Sequence, residues 1–322
     1  MKVGVLTVLF GDKPLSEILE YLSEKDVEAI ELPGGGFSSS GHFSTEEVLE
    51  DEEKQNEILD LVDDHDMEIS AISSHGNPLH PQEEKAKSDD KVLRKSIELA
   101  DKMNVDVVNG FSGCPGASED ANHPNWITAP WPSEFKEVLE WQWEKKLIPY
   151  WKEIAKLADE HGINIGLEMH PNFSVYNPET LLKLRNNTND RIGANFDPSH
   201  LIWQDIDPER AIRKLGEKNA IYHFHAKDVR IYKQNSSLNG VLDTKSYTKG
   251  KERSWIFRSV GYGHGEEYWR NIVSVLRMVG YNGVLSIEHE DLLADPLEGL
   301  EKAIEVLKKA TLTKEPGEAY WA

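Results

Sequence analysis

Four short segments in the second half of the chain gather side chains that can hold a cation or move a proton. They read Ile165-Gly166-Leu167-Glu168-Met169-His170-Pro171, Asn195-Phe196-Asp197-Pro198-Ser199-His200, His223-Phe224-His225-Ala226-Lys227-Asp228 and Ser286-Ile287-Glu288-His289-Glu290. Each continues an apolar, β-prone run, and in an extended strand alternate residues share a face. Glu168 then falls with His170, His223 with His225, and Glu288 with Glu290, while Met169, Phe224 and Ile287 turn the other way. Acids crowded at one place repel each other and lose hydration, and a bound divalent cation removes both costs. Glu168, Asp197, His225 and Glu288 therefore read as a metal site. Any one of them alone would be an ordinary solvated or ion-paired strand end. Four successive strands ending in acids and histidines make the pattern informative.

Holding such segments side by side takes a repeating architecture. Short β-rich runs at 3–8, 29–33, 68–75, 105–111, 164–170, 192–198, 221–228 and 283–288 alternate with helical patterns at 14–25, 53–65, 91–103, 137–160, 178–185, 208–215, 266–279 and 296–309. Asn177-Pro178, Asp207-Pro208 and Asp295-Pro296 each supply an N-cap followed by a residue preset for the first helical turn. Eight strand-then-helix repeats in 322 residues predict a (β/α)₈ TIM barrel, with an open doubly wound sheet as the alternative. No Gly/Ser-rich or Pro-rich linker divides the chain, so 1–322 is expected to form one domain with a C-terminal tail from about 311. The aromatics of Ala319-Tyr320-Trp321-Ala322 in that tail would dock on the barrel or on a neighbouring subunit.

The extra chain lies in two long loops, 110–135 after the fourth strand and 229–265 after the seventh. Such loops sit on the C-terminal face of a barrel, where active sites are built. Trp126, Trp131, Tyr232, Tyr247 and Trp255 within them would either stack on sugar rings or anchor the loops, the second being the simpler expectation. Gly34-Gly35-Gly36 lacks the Lys-Ser/Thr of a phosphate loop and reads as a flexible loop. Glu50 to Lys54 reads as a solvated helix start.

Composition narrows the function classes. With 57 acidic against 36 basic residues the net charge is −21, which repels nucleic-acid phosphate and anionic membrane. No apolar run approaches the roughly 18 residues of a membrane span. Met1-Lys2-Val3 enters an apolar strand without signal-peptide features, so a cytoplasmic protein is expected. The single cysteine, Cys114, can form neither an intrachain disulfide nor a multi-thiolate zinc site.

The four segments at 166–171, 195–200, 223–228 and 286–290 resemble those of the xylose-isomerase-like TIM-barrel superfamily, which holds sugar epimerases and isomerases, inosose dehydratases and endonuclease IV. The resemblance implies that Glu168, Asp197, His225 and Glu288 bind one divalent ion, manganese first, with cobalt, magnesium or zinc as alternatives. It also implies that Glu168 and Glu288 are the catalytic acid/base pair, that His200 contacts substrate, and that Arg230 stands close to a substrate-binding arginine, one residue out of register. An implied homo-oligomer follows from relatives that are often dimers or tetramers. Three carboxylates and an imidazole suit a hard cation such as manganese or magnesium.

Such a site would stabilise the charge formed when a keto-sugar loses a proton beside its carbonyl, and two glutamates could remove and return that proton on opposite faces. A metal-dependent lyase or dehydratase acting on a keto-sugar, keto-glycoside or cyclitol is the alternative, distinguished by an acid beside the leaving group such as His170, His264 or Lys227. His75, ending the third strand, and His264, in Gly261-Tyr262-Gly263-His264-Gly265, are further substrate-binding candidates. No arginine cluster marks a phosphorylated substrate. A nuclease of the endonuclease IV kind would need a histidine where the fourth strand ends in Asn109-Gly110-Phe111-Ser112, and the charge opposes DNA.

Overall fold

Strand and helix alternate along the chain and close into a parallel barrel. The computed structural model describes residues 1–314, 317–318 and 320–321. Its strands are β1 (Lys2–Leu6), β2 (Ala29–Gly36), β3 (Glu68–His75), β4 (Val107–Gly110), β5 (Asn164–Glu168), β6 (Ile192–Phe196), β7 (Ile221–Ala226), β8 (Asp228–Ile231), β9 (Trp255–Arg258) and β10 (Val284–Ile287). Eight of them close in the order β1-β10-β7-β6-β5-β4-β3-β2, every neighbouring pair parallel. This is the (β/α)₈ barrel expected from the sequence.

Alternation decides what faces inward. Ile30, Leu32, Ile72, Val108, Ile165, Leu167, Phe196, Phe224, Leu285 and Ile287 are buried in the main hydrophobic core. The residues between them are polar and equally buried: Glu31, Ser73, Asn109, Asn195, His225 and Ser286. These bond across the barrel rather than along its wall, with Asn109 on β4 reaching His223 on β7 and Glu31 on β2 reaching His225 on β7. The lumen is thus polar, and the apolar faces pack outward.

The three expected Asx-Pro helix starts are realised. Asn177 forms a capping box with Thr180, Asp207 accepts from the Glu209 and Arg210 amides, and Asp295 accepts from those of Leu297 and Glu298. The helix expected at 91–103 starts earlier, at Glu83. The one expected over 137–160 runs as Ser133–Trp141, a π-helical Gln142–Leu147 and Ile148–Glu160, the irregular turn falling where Pro149 has no N–H to donate.

One sequence expectation is corrected. Gly34-Gly35-Gly36 is not a flexible loop, because β2 runs through Gly36 and pairs Gly35 with Ser74 and Gly36 with His75. At Gly36, φ is +68° and a Cβ would lie 2.1 Å from the His75 carbonyl oxygen, so glycine is what lets the strands approach. The long loop expected after β7 is present and carries a strand pair of its own. Its two ends pair as the antiparallel β8–β9, in register from Asp228 with Arg258 to Ile231 with Trp255. Val229, Trp255 and Phe257 pack with Trp203 in a small separate apolar cluster that roots the loop on the barrel.

Among the loop aromatics, Trp255 stacks on Trp203 with centroids 4.7 Å apart, and Trp126 meets Tyr176 edge-on at 5.4 Å. Trp131 is exposed. In the tail, Tyr320 and Trp321 are exposed, and Glu315, Pro316, Ala319 and Ala322 lie outside the described residues. No helix among the described residues is long and apolar enough to cross a membrane.

Candidate metal centre

The three acids and one imidazole singled out in the sequence arrive at one point from four neighbouring strands. Glu168 is the last residue of β5, and His225 lies inside β7. Asp197 follows β6 as N-cap of the helix Pro198–Ile202, and Glu288 follows β10. One ligand atom from each can be chosen so that all lie within 4.8 Å of one another. His225 Nδ1 stands 3.0 Å from Glu288 Oε2 and 3.4 Å from Glu168 Oε2. Asp197 divides its oxygens: Oδ1 accepts the Ser199 amide at 2.7 Å, while Oδ2 makes no hydrogen bond though buried.

The donor set fits a hard divalent cation on what the site itself leaves unsatisfied. Asp197 Oδ2 and His225 Nδ1 are both buried and lack a well-formed hydrogen bond, with Lys227 Nζ 3.5 Å from the first and Glu288 Oε2 3.0 Å from the second, and a cation between them would engage both. Burial pushes the Asp197 carboxyl up to about 7; Lys227 opposes the rise, and Glu168 and Glu288 add to it. Burial disfavours the charged form of His225, but Glu31 and Glu288 outweigh it and hold its pKa well above the ordinary value. Burial likewise opposes ionisation of Glu168, yet His200, His225 and His75 hold its carboxyl well below the usual range. The surroundings call for positive charge at the centre.

Beneath the cluster lies a residue that the sequence reading missed. Glu31 is fully buried and places Oε1 3.0 Å from His225 Nε2. It also accepts from Asn109 Nδ2 at 2.9 Å and from the hydroxyls of Ser73 and Ser286. Burial raises its pKa, but His225 and His223 outweigh that and hold it ionised, well below the usual carboxylate range. An ionised carboxylate only accepts, so Nε2 of His225 donates to Glu31, and Nδ1 faces the cluster, where a cation would take the place of a second proton. An acid between two buried apolar residues, Ile30-Glu31-Leu32, is the signal that marks it in the sequence.

Above the cluster opens a cavity of about 850 Å³ on the C-terminal face, with Glu168, His75, His170, Lys227 and Glu288 among its lining residues. Phe111 and Phe173, stacked at 4.3 Å, form one wall, and Tyr247 and Phe257 another. His75 sets Nε2 3.1 Å from Glu168 Oε2 and is steadied at Nδ1 by Ser38 Oγ at 2.7 Å. His200 Nε2 lies 2.9 Å from Glu168 Oε1, and the His170 ring stands 4.1 Å from that of His200. Lys227 is buried with Nζ 3.0 Å from both Glu288 Oε2 and Glu290 Oε2.

Arg230 and His264 are not brought to this cavity. Arg230 Nη1 donates to the Gly263 carbonyl at 3.0 Å, and His264 Nδ1 donates to Asp228 Oδ1 at 2.8 Å. The cause is Asp228, a buried carboxylate that also collects the amides of Val229, Gly261, Gly263 and His264 and the Trp269 indole. It draws the glycine segment onto itself and turns the histidine away.

Residues 19–310 match the family model described as xylose isomerase-like TIM barrel. The uncharacterized protein YfiH of Bacillus subtilis (strain 168) is 39% identical over 312 residues, 96% of this chain and 99% of that protein. A D-tagatose 3-epimerase-like protein is similar in structure, with TM-score 0.64, 23% identity, and coverage of 96% of this chain and 98% of that one. So is the probable 3-DHS dehydratase AsbF of Bacillus anthracis, with TM-score 0.66, 18% identity, and coverage of 96% and 99%. With the closed barrel already established, the match over most of its length places the chain in the xylose isomerase-like TIM barrel family.

Proposed function

We propose that the chain is a divalent-metal-dependent epimerase or isomerase of a ketose or keto-sugar. The observation that carries this reading is the pair Glu168 and Glu288, both set against His225 Nδ1 yet borne by β5 and β10, with β6 and β7 between them on the barrel wall. Glu168, Asp197, His225 and Glu288 would hold the cation, manganese first among hard divalent ions. When bound, such an ion supplies charge stabilisation for a carbonyl oxygen whose neighbouring carbon loses a proton. Glu168 removes that proton at a carboxylate oxygen from one side of the ring. Glu288, once it has taken up a proton from solvent, returns one to the opposite side, while Glu168 releases the abstracted proton to solvent to complete the cycle. His75 and His200 keep Glu168 ionised, and His170 and the aromatic walls orient the sugar.

Lys227 supports a second reading. A buried ammonium 3.0 Å from Glu288 is a proton donor that epimerisation leaves idle, whereas a dehydratase needs an acid beside its leaving group. Incubation of the manganese-loaded protein with keto-sugars in deuterated water tests both. Deuterium at the carbon beside the carbonyl in an epimeric product supports the first reading, an unsaturated product supports the second, and absence of exchange across ketoses and oxidised glycosides refutes the shared proton abstraction.

A further inference from the structure

The arc between β8 and β9 is largely exposed, yet the arginine at its end is 1% exposed. A charged side chain is almost never fully buried unless something meets its charge, and Arg253 is met by rings and carbonyls. Its guanidinium carbon lies 4.4 Å from the centroid of Tyr247 and 4.6 Å from that of Trp255, in the corner between two rings that meet edge to face at 6.0 Å. Nε donates to the Trp255 carbonyl at 3.2 Å and Nη1 to the Lys245 carbonyl, so one side chain ties residue 245 to residue 255. Nη2 is buried without a hydrogen bond, which leaves the aromatic faces to meet that end of the charge. The backbone is fixed as well, because Asn235 Nδ2 donates to the Arg253 carbonyl at 2.8 Å. Arginine suits this place, since a planar fork reaches two carbonyls while its face lies on rings, whereas lysine offers a point charge.

What the guanidinium holds is Tyr247. That ring is 54% exposed on a segment outside the barrel, where side chains ordinarily change rotamer freely. It nevertheless forms part of the metal cavity wall, stacked on Phe257 with centroids 5.8 Å apart and planes 22° apart. Phe257 in turn carries the Lys227 ammonium 4.5 Å from its centroid, and Lys227 pairs with Glu288. We propose that Arg253 is a positioning residue for the metal cavity: it lies behind the lining residues, and it sets Tyr247 over the opening as the wall against which a substrate is received. The proposal rests on the keto-sugar reading above, which makes this cavity the place where substrate binds. Because the guanidinium acts through a ring on the wall and not through Glu168 or Glu288, its loss weakens capture and leaves proton abstraction intact.

The test compares the manganese-loaded parent with Arg253→Met, Arg253→Lys, Tyr247→Ala and the double variant Arg253→Met/Tyr247→Ala. One readout needs no activity: the rate at which chymotrypsin opens the bond between Tyr247 and Thr248, followed by mass spectrometry. The other is KM and kcat for deuterium exchange from solvent into D-fructose, D-tagatose, D-sorbose and D-psicose. Arg253→Met is expected to be cut tenfold or more faster, and to raise KM tenfold or more with kcat within twofold, at the manganese content of the parent. Tyr247→Ala should raise KM as far, and the double variant no further, because both changes act on one ring. Arg253→Lys, which keeps the charge and loses the fork, should fall between, and it carries the same test if the methionine variant does not fold. Unchanged cleavage, faster cleavage with unchanged KM, a fall in kcat at constant KM, or losses that multiply in the double variant overturns the role of Arg253. A parent that exchanges none of the four ketoses fails the keto-sugar reading alone, and the cleavage rate then decides for or against Arg253 as the anchor of Tyr247.

Discussion

Glu31 and His225 face each other across the barrel lumen, with Oε1 of the glutamate 3.0 Å from Nε2 of the histidine. The pair fixes which imidazole nitrogen is turned toward Glu168, Asp197 and Glu288. A carboxylate behind a ligating histidine sets its tautomer and raises its basicity, and loss of such a partner commonly costs ten- to a hundredfold in metal affinity. Glu31→Gln should therefore lower manganese affinity by about that factor, measured by calorimetry. Undiminished affinity would remove Glu31 from the centre.

Asp197 has two tasks on two oxygens, and they can be separated. Asp197→Ala should lose both metal binding and the N-cap of the helix Pro198–Ile202, the latter costing about 1 kcal/mol. Asp197→Asn keeps a good cap without the charge, so its melting temperature should exceed that of the alanine variant while its metal content falls as far. Full manganese occupancy in either would sink the ligand assignment.

Glu288→Gln probes the second base. Epimerisation should drop by 100-fold or more in the variant, in line with the usual loss of a general acid or base, while Glu168 still exchanges the substrate proton with deuterated solvent. Product inversion at the parental rate, with metal bound, would refute the two-base arrangement.

Cys114 is buried, and burial pushes its thiol up to about 12. At pH 8 the reactive thiolate is therefore scarce in the folded chain. Ellman's reagent should find no fast-reacting thiol in the native protein and one per chain in guanidinium chloride. A stoichiometric reaction within minutes under native conditions would contradict the packing around Cys114.

The barrel was legible because two signals recur along the chain: short apolar runs such as Val3 to Leu6, and amphipathic helices started by Asx-Pro caps. The cluster of Glu168, Asp197, His225 and Glu288 was legible because each stands at or near the point where an apolar run gives way to charge. Glu31 was not, since it sits inside its strand, and strand position alone does not separate a lumen-facing acid from an error in register. Arg230 and His264 were placed by distance along the chain, whereas their positions depend on Asp228, whose pull on the glycine segment is a tertiary effect. The β8–β9 pair was overlooked because its strands are four residues each and far apart in sequence, although Val229 with Ile231 and Trp255 with Phe257 alternate correctly.

Asp228 stands where the chain leaves β7, and it receives the amides of Gly261, Gly263 and His264, where the same excursion returns toward the barrel. Departure and return are fastened to one carboxylate, and Ile231 pairs with Trp255 just above it. The arc from 232 to 254 is thus clasped at its base, and Tyr247, which it carries to the cavity wall, is held at a fixed height above Glu168, Asp197, His225 and Glu288.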